Sequence, residues 1–118
     1  MKQTLRVGIA SYEAMKARTR AIARGEHVPG RNEPQVWFVS LESMAKILSD
    51  KNRALLELIA EESLSLSDLA VRTGREKSNL SRTLKTMERC GLVQLKKERG
   101  RLMPHVSYRN ISLQVPIH

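Results

Sequence analysis

The sequence predicts a mainly helical fold with a small β wing, in the α+β class. Hydrophobic residues make up 41% of the 118 residues and aromatic residues only 3%, so we expect an aliphatic core. Several segments repeat apolar residues at spacings of three and four, whereas a C-terminal segment alternates and is rich in lysine and arginine. A chain of this length is expected to form one compact core.

The N-terminal segment, residues 1–39, is predicted to be a helical extension. Residues 9–24 are rich in alanine and precede Gly25, which suits a helix end. Residues 25–35 hold two glycines and two prolines and predict a loop, and residues 36–39 predict a short strand. We expect this extension to serve dimerisation or partner binding. The predicted apolar side of its helix consists of Ile9, Tyr12, Met15, Thr19 and Ile22.

Residues 40–74 carry the start signals of three successive helices. Ser40 is suited to cap a helix over residues 41–49, and Asp50 is suited to cap the next one. The residues S-L-S-D at positions 65–68 have the spacing of a capping box, which predicts a third, short helix that ends at Gly74. The residues predicted to face the core from the second and third helices are Leu55, Leu56, Leu58, Ile59, Leu66, Leu69, Ala70 and Val71.

A fourth helix in this series is predicted over residues 76–89, which include most of the sequence SNLSRTLKTMERCGLV at positions 78–93. Leu80, Leu84 and Met87 recur at intervals of four and three, which places them on one buried face. The other side chains are almost all polar, so the opposite face is expected to be exposed. Gly91 is expected to end the helix.

A basic hairpin is predicted after this helix, over residues 93–109. Residues 92–97 alternate, Gly100 suits a turn, and residues 105–115 are predicted to return as the second strand. Helix, short helix, turn, helix and hairpin is the order of a winged helix-turn-helix DNA-binding domain. We place that domain at residues 40–118.

The positive charge is concentrated in the C-terminal part of the chain. Residues 1–71 hold 10 Lys or Arg and 9 Asp or Glu, whereas residues 72–118 hold 11 and 3. Such asymmetry indicates a surface for a polyanion, here double-stranded DNA. A solvated basic tail is the alternative interpretation.

The stretch LSLSDLAVRTGREKSNLSRTLKTMERCGLVQLKKERGR resembles the winged-helix core of MarR-like bacterial transcriptional regulators. Together with the flanking FVSLESMAKILSDKNRALLELIAEES and PHVSYRNISLQV, it also resembles a family of short predicted prokaryotic regulators, some of them taken to be antitoxins. The resemblance implies a dimeric DNA-binding repressor. It also implies that the residues of the helix that meet DNA are Ser78, Asn79, Ser81 and Arg82.

The chemistry of these side chains agrees with that implication. The guanidinium of Arg82 can pair with O6 and N7 of guanine, and the carboxamide of Asn79 can pair with N6 and N7 of adenine. We therefore predict base contacts for Ser78, Asn79 and Arg82. Hydroxyl and cationic groups suit phosphate oxygens, and the predicted phosphate contacts are Arg75, Lys77, Ser81, Lys85, Lys96, Lys97, Arg99 and Arg101.

Structural alternatives exist for the same residues. Asn79 is also suited to stabilise the first turn of its helix, and Arg82 to pair with Glu76 or Glu88. The basic residues of the wing also suit an edge strand, where charge discourages association between sheets.

The sequence gives no sign of an enzyme or a metal site. Three scattered histidines and one cysteine, Cys90, lack metal-binding spacings, and no nucleophile or phosphate-binding motif is present. We expect no catalytic residue, no metal and no cofactor. No apolar stretch is long enough to span a membrane, which favours a cytoplasmic protein. The alternative function is that of an antitoxin, which neutralises a protein toxin and regulates its own operon.

Overall fold

A computed structural model describes residues 4–117, and over this range the chain forms five helices and five strands. The predicted winged helix-turn-helix, mainly helical with a β wing, is confirmed. In chain order the elements are β1 (Thr4–Ile9), α1 (Tyr12–Ala23), β2 (Val36–Phe38), α2 (Leu41–Ile47), α3 (Asp50–Glu61), α4 (Leu66–Thr73), α5 (Lys77–Cys90), β3 (Gln94–Glu98), β4 (Arg101–His105) and β5 (Asn110–Gln114).

Three of the strands form a parallel sheet in the order β2-β1-β5. The central strand is β1, in which Val7 pairs with Val36 of β2 on one side and with Leu113 of β5 on the other. Strands β1 and β2 lie in the predicted N-terminal extension, and β5 lies in the predicted DNA-binding segment. The division at residue 39 stays a prediction.

The first strand corrects the predicted start of the first helix. That helix was expected to begin at Ile9, but Ile9 is the last residue of β1, and α1 begins at Tyr12. Thr4 and Arg6 are exposed whereas Leu5 and Val7 are buried, which is the period of two expected of a strand. Four alternating residues, Thr4 to Val7, give a weaker signal than the alanine-rich segment that follows the strand.

The wing corrects the predicted return strand. Strands β3 and β4 form an antiparallel hairpin joined by Arg99 and Gly100, with φ of 53° and 76°. Two positive φ values in a two-residue connection are those of a type I′ turn. The return strand is therefore β4 and not residues 105–115, where β5 instead pairs with β1. Pro104 lies within β4, and a proline is tolerated there because both strands of a two-stranded hairpin are edges.

One hydrophobic core joins the helices to the parallel sheet. The predicted buried face of α5 is confirmed, since Leu80, Leu84 and Met87 are fully buried. Val71 was predicted to face the core but is exposed, because it lies on the outer side of α4. The buried core residues are Leu5, Val7, Val36, Phe38, Leu55, Leu56, Ile59, Leu69, Leu80, Leu84, Met87, Leu92 and Val93.

Serine is the N-cap residue of four of the helices. The capping box predicted for α4 is confirmed: Ser65 Oγ accepts from the Asp68 N–H, and the Asp68 carboxylate accepts from the Ser65 N–H, each at 3.2 Å. The predicted cap Asp50 is wrong, because the hydroxyl of Ser49 accepts from the Asn52 N–H and Asp50 is the first helical residue. The N-caps are Ser11 for α1, Ser40 for α2, Ser49 for α3 and Ser65 for α4.

Helix α1 contributes no fully buried side chain. Its predicted apolar side forms only in part, because Tyr12 and Thr19 are exposed whereas Met15 and Ile22 are half-buried. Polar contacts also hold the helix: Arg18 lies 5.3 Å from the ring centre of Trp37 and donates to Glu33 at 2.9 Å. The arginine, and then His27, hold the pKa of the Glu33 carboxyl below its usual range.

Candidate nucleic-acid interface

The predicted base-contacting side chains lie on the exposed face of α5. Ser78, Asn79 and Arg82 are exposed, whereas Leu80 and Leu84 on the opposite face are buried. Residues three and four apart are neighbours on a helix surface, so Arg82 adjoins both of the others. Among the predicted phosphate contacts on this helix, Lys77 and Lys85 are exposed and Ser81 is half-buried.

The basic side chains of this surface form no ion pairs with other described residues. Over the described residues, Arg82 forms no ion pair with Glu76 or Glu88, the partners that the structural alternative requires. Within the same range, ion pairs are also absent from Lys77, Lys85, Lys96, Lys97, Arg99 and Arg101.

The first turn of α5 differs from those of the other four helices. It follows Glu76, whose side chain makes no capping hydrogen bond, and it contains no acidic residue. The first N–H groups of a helix have no partner within the helix, and they carry a partial positive charge. This end of α5 is therefore suited to an anionic group.

Arg75 lies at the centre of a hydrogen-bond network beside that turn. Its Nε and Nη2 donate to Asn79 Oδ1 at 3.2 and 3.0 Å. Nη2 also donates to Thr83 Oγ1 at 3.1 Å, and Nη1 donates to Asn52 Oδ1 at 3.1 Å. The amide of Asn52 in turn donates to the carbonyl of Ile47 at 3.0 Å, so the network links the end of α2 through α3 to α5.

This network was not predicted from the sequence. Arg75 is half-buried and most of its donors are occupied, so its predicted phosphate contact stays a prediction. The structural alternative for Asn79 was to stabilise the first turn of its helix; its oxygen accepts from Arg75, which lies directly before that turn. Asn52 had no sequence signal, because it is one polar residue among several in α3.

The wing places its basic residues on two faces. Successive side chains of a strand point to opposite sides, so Lys96 and Lys97 do not share a face. The register pairs Lys96 with Met103 and Lys97 with Leu102. Arg99 and Gly100 form the exposed tip of the hairpin, with Arg101 directly after it.

A surface groove lies between the wing and the first residues of α4 and α5. It is lined by residues 65–68 of the capping box, by Lys77 and by residues 100–102. The pKa of Asp68 is lowered, first by the hydrogen bonds of the capping box and last by the charge of Arg101. The structure thus brings Lys77 and Arg101, two predicted phosphate contacts from different elements, to the same groove.

Comparison with known proteins assigns the family. The sequence profile of the HVO_A0114 family matches residues 47–113, from the end of α2 to β5. The chain belongs to the HVO_A0114 family. In this HVO_A0114 family chain, the matched region contains all the predicted DNA contacts. No curated protein matches its sequence.

A solved structure shows the same fold. It is the homodimeric winged helix-turn-helix DNA-binding domain (fragment 1–100) of Mb0332 from Mycobacterium bovis, a possible ArsR-family transcriptional regulator. The two chains are 18% identical, with a TM-score of 0.51 over 81% of this chain and 72% of the other. The likeness supports the winged helix as such and does not single out MarR-like regulators.

The other reactive groups of this HVO_A0114 family member are Cys90 and the side chains of types that bind metals. Burial raises the pKa of the Cys90 thiol, which disfavours its reactive thiolate form. Within residues 4–117, no cluster of His, Cys, Asp and Glu has the arrangement of a metal site. None of the described helices is long and apolar enough to cross a membrane.

Proposed function

We propose that the chain is a sequence-specific transcriptional regulator, a dimeric repressor that binds double-stranded DNA in the cytoplasm. Helix α5 enters the major groove, and Ser78, Asn79 and Arg82 contact base edges. The wing and the first turn of α5 contact the phosphates on either side, which positions the helix.

The observation that carries this proposal is the two-sided character of α5. Leu80, Leu84 and Met87 are all 0% exposed, so one face is fixed in the core. The opposite face carries Arg82 and other cations that form no ion pairs among the described residues. A helix held on one side and cationic on the other suits the major groove, which is wide enough to admit it.

Dimerisation follows from the small number of bases that one helix can contact. Specific binding commonly uses two recognition helices about 34 to 36 Å apart on a palindrome. The Mycobacterium bovis domain is described as homodimeric, which supports the same assembly here. We assign the contact between protomers to α1, because it contributes no fully buried side chain within its own protomer.

A titration against the DNA upstream of the gene tests the proposal. Wild type should prefer that DNA over a scrambled sequence, and its affinity should fall steeply between two salt concentrations. Arg82→Ala should lose the preference and keep a weaker, salt-dependent binding. Arg31→Ala removes an exposed arginine from the loop between α1 and β2 and should behave as wild type. Equal affinity of the wild type for both sequences would contradict sequence-specific regulation through this DNA.

The second candidate function is an antitoxin that binds a protein toxin through α1. It is favoured by the same exposed surface, in which Tyr12 is 72% exposed. Deletion of the extension is a poor test, because it would remove β1 from the centre of the sheet. Tyr12→Glu is better: a monomer with weak DNA binding would assign α1 to the homodimer. A dimer with intact DNA binding would leave α1 free for another protein.

A further inference from the structure

Arg75 is held in one orientation by groups from several elements. Its backbone N–H donates to Thr73 Oγ1 at 3.2 Å, which fixes the turn before α5. Its guanidinium donates to Asn52 of α3 and to Thr83 of α5, each at 3.1 Å. These contacts leave the guanidinium little freedom to turn toward a phosphate.

The carboxamide of Asn79 is oriented by this arginine. A guanidinium can only donate hydrogen bonds, so the atom of Asn79 that faces it must be the oxygen. That oxygen accepts two hydrogen bonds, from Nε at 3.2 Å and from Nη2 at 3.0 Å. A carbonyl oxygen has two lone pairs, so both are occupied. The Nδ2 group has no hydrogen-bond partner among the described residues, and Asn79 is exposed.

The occupied oxygen changes which base Asn79 can recognise. Bidentate pairing with adenine needs the oxygen to accept from N6 while the amide donates to N7. With the oxygen occupied, Asn79 has only donors to offer. Guanine presents two acceptors on its major-groove edge, N7 and O6, whereas adenine presents one acceptor beside an N6 donor. A donor-only amide therefore favours guanine.

We propose that Arg75 is a positioning residue that determines specificity, because it occupies Oδ1 of Asn79 and makes Asn79 favour guanine over adenine. This inference rests on the proposed function, in which α5 reads DNA. It assigns Arg75 to the base preference of α5 in place of the phosphate contact expected from the sequence.

Selection of binding sites from a random double-stranded library tests the proposal. The position contacted by Asn79 is the one whose preference disappears in Asn79→Ala, while the position read through Arg82 is retained. Wild type should select guanine there, and titration should give a guanine-to-adenine affinity ratio of about fivefold or more. In Arg75→Met the oxygen of Asn79 is released, so the ratio should fall by about fivefold or more, toward adenine.

Thr83→Val provides a matched control. It removes one acceptor of Arg75 but leaves both hydrogen bonds to Asn79, so the guanine preference should persist. A loss of preference in this variant equal to that in Arg75→Met would overturn the proposal, because any damage to the network would then have the same effect. If Arg75→Met does not fold, Asn79→Asp provides the test. The carboxylate in this variant can still accept hydrogen bonds from Arg75 but has no donor, so the variant should lose the guanine preference.

The outcomes separate this inference from the proposed function. If wild type enriches a sequence in which Asn79 selects adenine, or if Arg75→Met leaves the ratio unchanged, Arg75 does not set the preference although the chain reads DNA. The inference about Arg75 also fails if Asn79→Ala alters the base preference at no position of the selected site. If wild type enriches no sequence at all, both proposals fail. An Arg75 Nε–H resonance that shifts in Asn79→Ala, measured by NMR on the free protein, supports the contact without DNA; an unchanged resonance overturns it.

Discussion

Replacing Leu84 by alanine should remove a large part of the stability of the protein. Leu84 is 0% exposed, and so are Leu80 and Met87, its neighbours one turn away on α5. Fully buried neighbours leave little room for the site to collapse, so we expect a loss of about 3 to 5 kcal/mol, the upper part of the range for buried leucines. A typical domain is stable by only about 5 to 15 kcal/mol.

Urea unfolding followed by circular dichroism measures this loss. With a slope of about 2 kcal/mol per molar urea, the midpoint should fall by about 1.5 to 2.5 M. Val71→Ala is the matched control, because Val71 is 83% exposed and its replacement should change stability by no more than about 0.5 kcal/mol. A loss below about 1 kcal/mol for Leu84→Ala, or equal losses in the two variants, would refute the assignment of the buried face of α5.

Three further predictions concern the sheet, the loop after α1 and the wing. Gly8→Ala places a methyl carbon 2.7 Å from the Trp37 ring, so it should cost about 1 to 3 kcal/mol and shift the tryptophan emission; an unchanged spectrum would contradict the packing. The pKa of Glu33 is lowered in the folded protein, so its ionised form stabilises the fold. This contribution should be present at pH values above the pKa of an ordinary glutamate and should be lost as the pH falls through the pKa of Glu33 in the folded state. The free energy of unfolding of the wild type should therefore exceed that of Glu33→Gln near neutral pH, and this difference should shrink in acid. A difference that stays constant with pH would contradict the ion pair. Because Lys96 and Lys97 point to opposite faces, replacing both with glutamine should lower the salt slope of DNA binding by about 0.9, the effect of one phosphate contact. A fall of about twice that amount would show that both contact DNA.

Local patterns predicted the parts of the fold that depend on neighbouring residues. The spacing of Leu80, Leu84 and Met87 predicted the buried face of α5 because a helix packed on one side imposes that period. The capping box at residues 65–68 was equally visible, since its hydrogen bonds join residues three apart. The exposed position of Arg82 followed from the same helical period.

Contacts between distant parts of the chain could not be predicted in this way. Strand β5 was assigned to the wing because a hairpin is the simplest partner for a nearby strand, whereas its real partner is β1. The network of Arg75 has the same character: Asn52 lies 23 residues earlier and is brought into contact only by the packing of α3 beside the turn. Site chemistry that depends on such contacts, including the orientation of Asn79, needs the three-dimensional structure.

The position of β1 at the centre of the parallel sheet has a consequence for synthesis on the ribosome. Strand β1 leaves the ribosome before the other described elements, but its partner β5 is the last described element to be made. Helices α4 and α5 are neighbours in sequence and pack against each other, and contacts of low sequence separation form quickly. We expect α4 and α5 to pack together first in the nascent chain, whereas β1 can complete the sheet only after β5 has been made.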